Sequence, residues 1–105
     1  MLVELKIKTK VHSKTDIDEL YCFLYSRCPR LFDILEEKEY SYNFKSVFIR
    51  WSGNLEGTKR LNVKLLTDKL EEIFYSSGLK KCRCGITANG EEYEYIFSKK
   101  KKKEV

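Results

Sequence analysis

Apolar positions along this chain change period several times, and each change marks an element. Leu2 to Val11 alternates, with Val3, Leu5, Ile7, Thr9 and Val11 on one side and Leu2, Glu4, Lys6, Lys8 and Lys10 on the other. That is a strand with one buried face. Ser13 or Thr15 then caps a helix, and Thr15 with Asp18 resembles a capping box. Ile17, Leu20, Tyr21, Leu24 and Cys28 form its apolar stripe, and Asp16, Asp18 and Glu19 suit its first turn. Pro29 disfavours helical backbone at Cys28 and ends or kinks the element there. Leu31 to Glu37 reads as a further short helical piece. Glu39 to Phe44 and Ser46 to Gly53 alternate as two strands joined by a tight hairpin near Asn43 to Lys45; one long strand from Tyr40 to Trp51 is the alternative. Ser52 to Gly57 is a loop of turn formers.

Thr58 to Gly78 is the strongest helical stretch. Val63, Leu66, Leu70, Ile73 and Phe74 share one face. Thr58 is the expected N-cap, and Gly78 the expected end. On that reading Lys59 and Arg60 fall in the first turn and Lys64 in the second, while Glu71 and Glu72 lie towards the C-terminal end. This order opposes the helix dipole, by about 0.3–1 kcal/mol per exposed charge. Free amides at a helix start attract anions. The pattern therefore describes a phosphate-binding entrance, set against a solvated face with unfavourable charge order.

Leu79 to Thr87 makes the next strand. Asn89-Gly90 is a hairpin signal, because both residues tolerate φ > 0. Glu92 to Ser98 returns, with Tyr93, Tyr95 and Phe97 on one face. The order β-α-β-β-α-β-β predicts an α+β fold: a single small sheet of about five strands with two helices packed on one face.

The chain has 105 residues, 42% of them hydrophobic and 13% aromatic. That is enough for one modest core, so residues 1–98 form one expected domain. Its net charge is +5, but Lys99, Lys100, Lys101, Lys102 and Lys103, less Glu104, give residues 99–105 a charge of +4. The remaining body carries only +1. Adjacent lysines repel and bury nothing, so residues 99–105 are expected to be a disordered tail. The opening residues show no signal peptide, and no apolar run approaches membrane-spanning length. A reducing, cytoplasmic compartment follows as the expectation, with Cys22, Cys28, Cys82 and Cys84 as free thiols. Zinc is the sharper alternative, but Cys22 and Cys28 point different ways on a helix and make a poor ligand set with Cys82-x-Cys84.

Catalytic signals are sparse. His12 is the one histidine and sits at a strand end. No nucleophile motif, Gly-rich phosphate loop or carboxylate–histidine metal set is present. Glu91, Glu92 and Glu94 cluster near the last hairpin, as acids on a solvated face often do. No enzyme activity, cofactor, metal or small-molecule substrate is expected. Three basic groups are expected to come together instead: Lys59, Arg60, Lys64 and Lys69 on the helix, Lys80, Lys81 and Arg83 after it, and the lysine tail. Such groups neutralise phosphates and release counterions, with Arg60 the expected bidentate contact.

The chain resembles the eukaryotic large-subunit ribosomal protein number twenty-two family, the eukaryote-specific one. LKIKTKVH followed by DIDELYCFL, TKRLNVKLLTDKL, and LKKCRCGITANGEEYEYIF carry the resemblance, over about residues 3–98. Its most specific pieces are Thr58-Lys59-Arg60, Leu66-Thr67 with Lys69, and Ala88-Asn89 with Tyr93. The resemblance implies a structural constituent of the large ribosomal subunit, in contact with ribosomal RNA and neighbouring ribosomal proteins in the cytoplasm. Carried over by position, Thr58, Lys59, Arg60, Lys64 and Lys69 would lie at the RNA. The sequence departs from the family in three ways. Asp68, Glu71 and Glu72 make the helix less basic than usual, the tail is basic rather than acidic, and Cys28 to Glu37 does not match the family's glycine-containing stretch. A small non-ribosomal interaction module, for example virus-encoded and binding a protein or nucleic acid, is the alternative. A metal-dependent nuclease is a third.

Overall fold

Leu2–Lys10 forms β1, the middle strand of five. The computed structural model describes residues 1–11, 14–43, 46–56 and 60–98. After β1 come α1 (Lys14–Arg27), α2 (Pro29–Ile34), β2 (Glu37–Asn43), β3 (Ser46–Asn54), α3 (Val63–Ser76), β4 (Lys81–Ala88) and β5 (Glu91–Ser98). The strands form one antiparallel sheet in the order β2-β3-β1-β4-β5. This is the small α+β fold that the order of elements predicts.

Burial follows the period of each strand. Val3, Leu5, Ile7 and Thr9 of β1 are buried, as are Val47, Ile49 and Trp51 of β3 and Cys82, Cys84, Ile86 and Ala88 of β4. Residues opposite one another in an antiparallel pair share a face, so these side chains form one apolar floor. Ile17, Leu20 and Leu24 of α1, Leu31 of α2, and Leu66, Leu70, Ile73 and Phe74 of α3 pack onto it. Trp51 is the largest side chain buried there. Its indole N–H donates to the Tyr25 hydroxyl at 3.4 Å, and Tyr21 and Phe32 meet its ring edge-on. Among the described residues, the other face of the sheet carries no helix.

Several boundaries differ from the expected ones, for visible reasons. Pro29 does end α1, and its missing N–H then suits the first position of α2. The short helical piece is therefore Pro29–Ile34 rather than Leu31 to Glu37, and the helices number three among the described residues. Thr15 lies inside α1 and is not its cap; Ser13 and His12 lie outside the described residues. Two strands, not one long one, are described over Glu37–Asn43 and Ser46–Asn54, with Asn43 paired to Ser46; Phe44 and Lys45 of the expected hairpin lie outside the described residues.

The largest correction concerns α3. It starts at Val63, five residues after Thr58. Asn62 is the N-cap, and its side chain accepts from the Leu65 amide at 3.0 Å. Arg60 precedes the helix, and Thr58 and Lys59 lie outside the described residues. Arg60 therefore leaves the first turn, and Lys64, expected in the second, lies in the first. At the other end Ser77, not Gly78, closes the helix. Its hydroxyl donates to the Phe74 carbonyl at 2.7 Å and accepts from the Leu79 amide at 3.3 Å.

Candidate nucleic-acid interface

The helix-free face of the sheet can be read in rows from the strand register. Glu37, Ser52, Glu4, Thr87 and Glu92 lie level across the five strands. The next row is Glu39, Arg50, Lys6, Gly85 and Glu94, and the third is Ser41, Phe48, Lys8, Arg83 and Ile96. Beyond these, Asn43 and Lys10 both pair with Ser46, and Lys81 pairs with Ser98. Because Thr9 pairs with Cys82, one further step brings Lys10 level with Lys81. Counting side-chain charges row by row gives −3 (Glu37, Glu4, Glu92), 0 (two acids, two bases), +2 (Lys8, Arg83) and +2 (Lys10, Lys81). One end of the face is acidic and the other basic.

Ion pairs bind some of these charges. Arg50 meets Glu39 at 2.6 Å, Arg83 meets Glu94 at 3.5 Å, and Lys6 meets Glu4 at 3.6 Å. Lys8, Lys10 and Lys81 are exposed, and among the described residues none of them forms an ion pair. Unneutralised cations collect where the strands β1 and β4 meet the end of β5. Ser98, after which the lysine run begins in sequence, belongs to this end. Between the basic and acidic ends lies an open groove of about 480 Å³, lined by Lys6, Lys8, Phe48, Arg83, Gly85, Thr87, Glu92 and Glu94. Phe48 and Ile96 are exposed on this face.

Two of the three basic groups expected to converge lie apart, and the third, Lys99 to Lys103, lies outside the described residues. Lys81 and Arg83 join the basic end, and Lys80 precedes them in the turn before β4. Lys64 and Lys69 are exposed on α3, in the helical layer on the other side of the sheet. Because α3 ends shortly before β4 begins, its N-terminus lies about 20 Å from that end, at 1.5 Å per residue. Arg60 is held elsewhere again. Asn89 in the β4–β5 turn hydrogen bonds the backbone of Leu61, which puts Arg60 beside the acidic hairpin. There the Tyr93 phenol donates to Glu91 at 2.7 Å, and that bond raises its pKa, while the nearby Arg60 charge acts weakly in the opposite direction.

Lys8 and Lys10 are cations that no motif singles out. Their signal in the sequence is alternation: they lie on the polar side of the first strand, and that side remains uncovered.

A second groove, of about 570 Å³, lies between the α1–α2 junction and the start of α3. Arg27, Arg30 and Lys69 rim it, and Leu65 is exposed at its wall. Cys28, Cys82 and Cys84 are buried, while Cys22 is exposed. The Sγ atoms of Cys82 and Cys84 lie 3.6 Å apart, and that contact together with burial holds the Cys84 thiol well above its ordinary range. Among the described residues no cluster of His, Cys, Asp and Glu forms a metal-binding group, and no helix is long and apolar enough to cross a membrane.

No protein-family model matches this chain, and no curated protein matches it. Among solved structures, a phage SAM lyase in its apo state is similar in fold, with a TM-score of 0.51 and 15% sequence identity over 92% of this chain and 89% of that one.

Proposed function

We propose that this chain is a non-enzymatic RNA-binding protein, and that its contact runs through the basic end of the helix-free sheet face into the lysine tail. The observation that carries this reading is the collection of Lys8, Lys10 and Lys81, exposed and without ion-pair partners among the described residues, at the strand end from which Lys99–Lys103 continue. Cations in that state gain by exchanging condensed counterions for phosphates. The family resemblance supplies the wider setting, a structural constituent of the large ribosomal subunit. In this reading Lys80, Lys81, Arg83 and the tail hold backbone phosphates and position the protein. Lys64 and Lys69 are left for neighbouring partners. Titration of RNA at several salt concentrations tests the binding, and a steep fall of log K with log[salt] is expected. Co-sedimentation with large ribosomal subunits tests the setting.

A second reading takes its support from the fold likeness to the phage SAM lyase. SAM joins a sulfonium cation to adenosine. The groove beside Phe48 offers a ring for the adenine, and Glu92 and Glu94 offer carboxylates for the cation. Consumption of SAM by the purified protein, lost in Glu92→Gln with Glu94→Gln, would favour this reading over the first.

A further inference from the structure

The charge gradient on the helix-free face runs along the strands, from acidic to basic, and the groove lies across it. A duplex presents a wall of phosphates on each strand and would set one of them against Glu4, Glu92 and Glu94. A single strand avoids this, because its phosphates and its bases point in different directions. Its phosphates follow Lys8, Lys10 and Lys81 while its bases turn towards the acidic rows.

Phe48 stands at the basic edge of the groove, where the first base beside those phosphates would arrive. It is exposed on β3, directly opposite Lys8 of β1, and Lys8 lies opposite Arg83 of β4. An aromatic ring level with two cations, Lys8 without an ion pair among the described residues and Arg83 shared with Glu94, suits a nucleotide, with a π-face for the base and charge for its phosphate. Gly85 contributes no side chain of its own, and the stem of Lys6 lies beside it on the groove floor. Its volume of about 480 Å³ falls within the range of small-ligand sites. Carboxylates of Glu92 and Glu94 accept hydrogen bonds from exocyclic amino groups, as acids do from the cytosine amino group. Uracil carries a carbonyl oxygen where cytosine carries its amine, and so cannot donate to these carboxylates from that position.

We infer that this groove holds a short stretch of single-stranded RNA, with one unpaired base stacked on Phe48 and an amino-bearing base further along the groove, three strands away, read by Glu92 and Glu94. The inference rests on the RNA-binding reading and narrows its ligand from folded RNA in general to an exposed single strand.

Fluorescence anisotropy of the full chain tests it, with labelled ten-nucleotide oligomers of cytidine, adenosine and uridine and a fully paired hairpin. Cytidine and adenosine oligomers should bind several-fold more tightly than uridine, and the hairpin more weakly than all three. Phe48→Ala should weaken single-strand binding by about fivefold to a hundredfold while leaving the salt slope and the melting temperature near wild type. Phe48→Tyr should restore it. Glu92→Gln with Glu94→Gln should narrow the gap between cytidine and uridine. Unchanged binding by Phe48→Ala, or a hairpin that binds best, with salt dependence intact, overturns this inference and leaves the RNA-binding reading standing. Absence of salt-dependent binding to every RNA removes that reading and this one together. Sedimentation as a dimer that Lys8→Glu dissociates would assign the face to a second copy of the chain, and also overturns it.

Discussion

The carboxamide of Asn89 hydrogen bonds both backbone groups of Leu61. Its Nδ2 donates to the Leu61 carbonyl at 2.8 Å, and its Oδ1 accepts from the Leu61 amide at 2.9 Å. One side chain in a hairpin turn thereby holds the segment leading into α3, whose own cap is the next residue, Asn62. Aspartate lacks the donor and glycine lacks both groups, so only an amide of this length does both. Asn89 also takes a left-handed backbone, with φ of 56°, which asparagine tolerates better than most residues.

Asn89→Ala should therefore lose two hydrogen bonds and strain the turn, at a cost of about 2–3 kcal/mol in urea unfolding. Asn89→Gly keeps the turn and loses only the bonds, so it should cost less. Equal losses in the two variants would show that the clamp, not the turn conformation, carries the effect.

Gly53→Ala should destabilise by about 1–3 kcal/mol, as overpacking does. A methyl group at Gly53 would run into the Ile34 carbonyl oxygen at the end of α2, which is backbone and cannot swing aside. Ser52→Ala, on the helix-free side, should unfold at nearly the wild-type denaturant concentration.

The rhythm of the strands is legible from residue order. Val3, Leu5, Ile7 and Thr9 against Lys6, Lys8 and Lys10 specify a half-buried strand, and Asn89-Gly90 specifies the last turn. Pro29 marks the break between α1 and α2. The start of α3 is not legible, because Thr58 and Asn62 are both competent caps and the tertiary clamp from Asn89 favours the second. A contact spanning 28 residues leaves no local mark. The candidate site is half visible for a similar reason. Lys81 and Arg83 stand out as a cluster, whereas Lys8 and Lys10 join them only once β1 lies beside β4.

Stability should fall at alkaline pH. Contact with the Cys82 thiol and burial raise the Cys84 pKa well above 9.0, and burial raises that of Cys28. A thiol whose folded pKa is raised favours the native state fully below the unfolded value, and that contribution is lost as pH climbs through the folded value. The urea midpoint should be flat between pH 7 and about 8 and decline above about pH 9. Cys84→Ala should decline less steeply over the same range.

Lys10→Glu with Lys81→Glu should weaken RNA binding and lower the salt slope by about 1.4, at about 0.7 for each single-strand phosphate no longer neutralised. Lys64→Glu with Lys69→Glu, on the helical layer, should bind RNA nearly as the parent does. The same titration read on both variants checks the assignment, and the reverse ranking would move the RNA to α3.

Every residue of β2 is exposed. It joins the molecule through its ladder to β3, the Glu39–Arg50 pair and the Lys38 ammonium lying over the Tyr21 ring at 4.4 Å. A strand so lightly anchored opens before the centre of the sheet does. Deuterium should enter its amides well ahead of those of β1, giving the protein a yielding margin around a stiff spine.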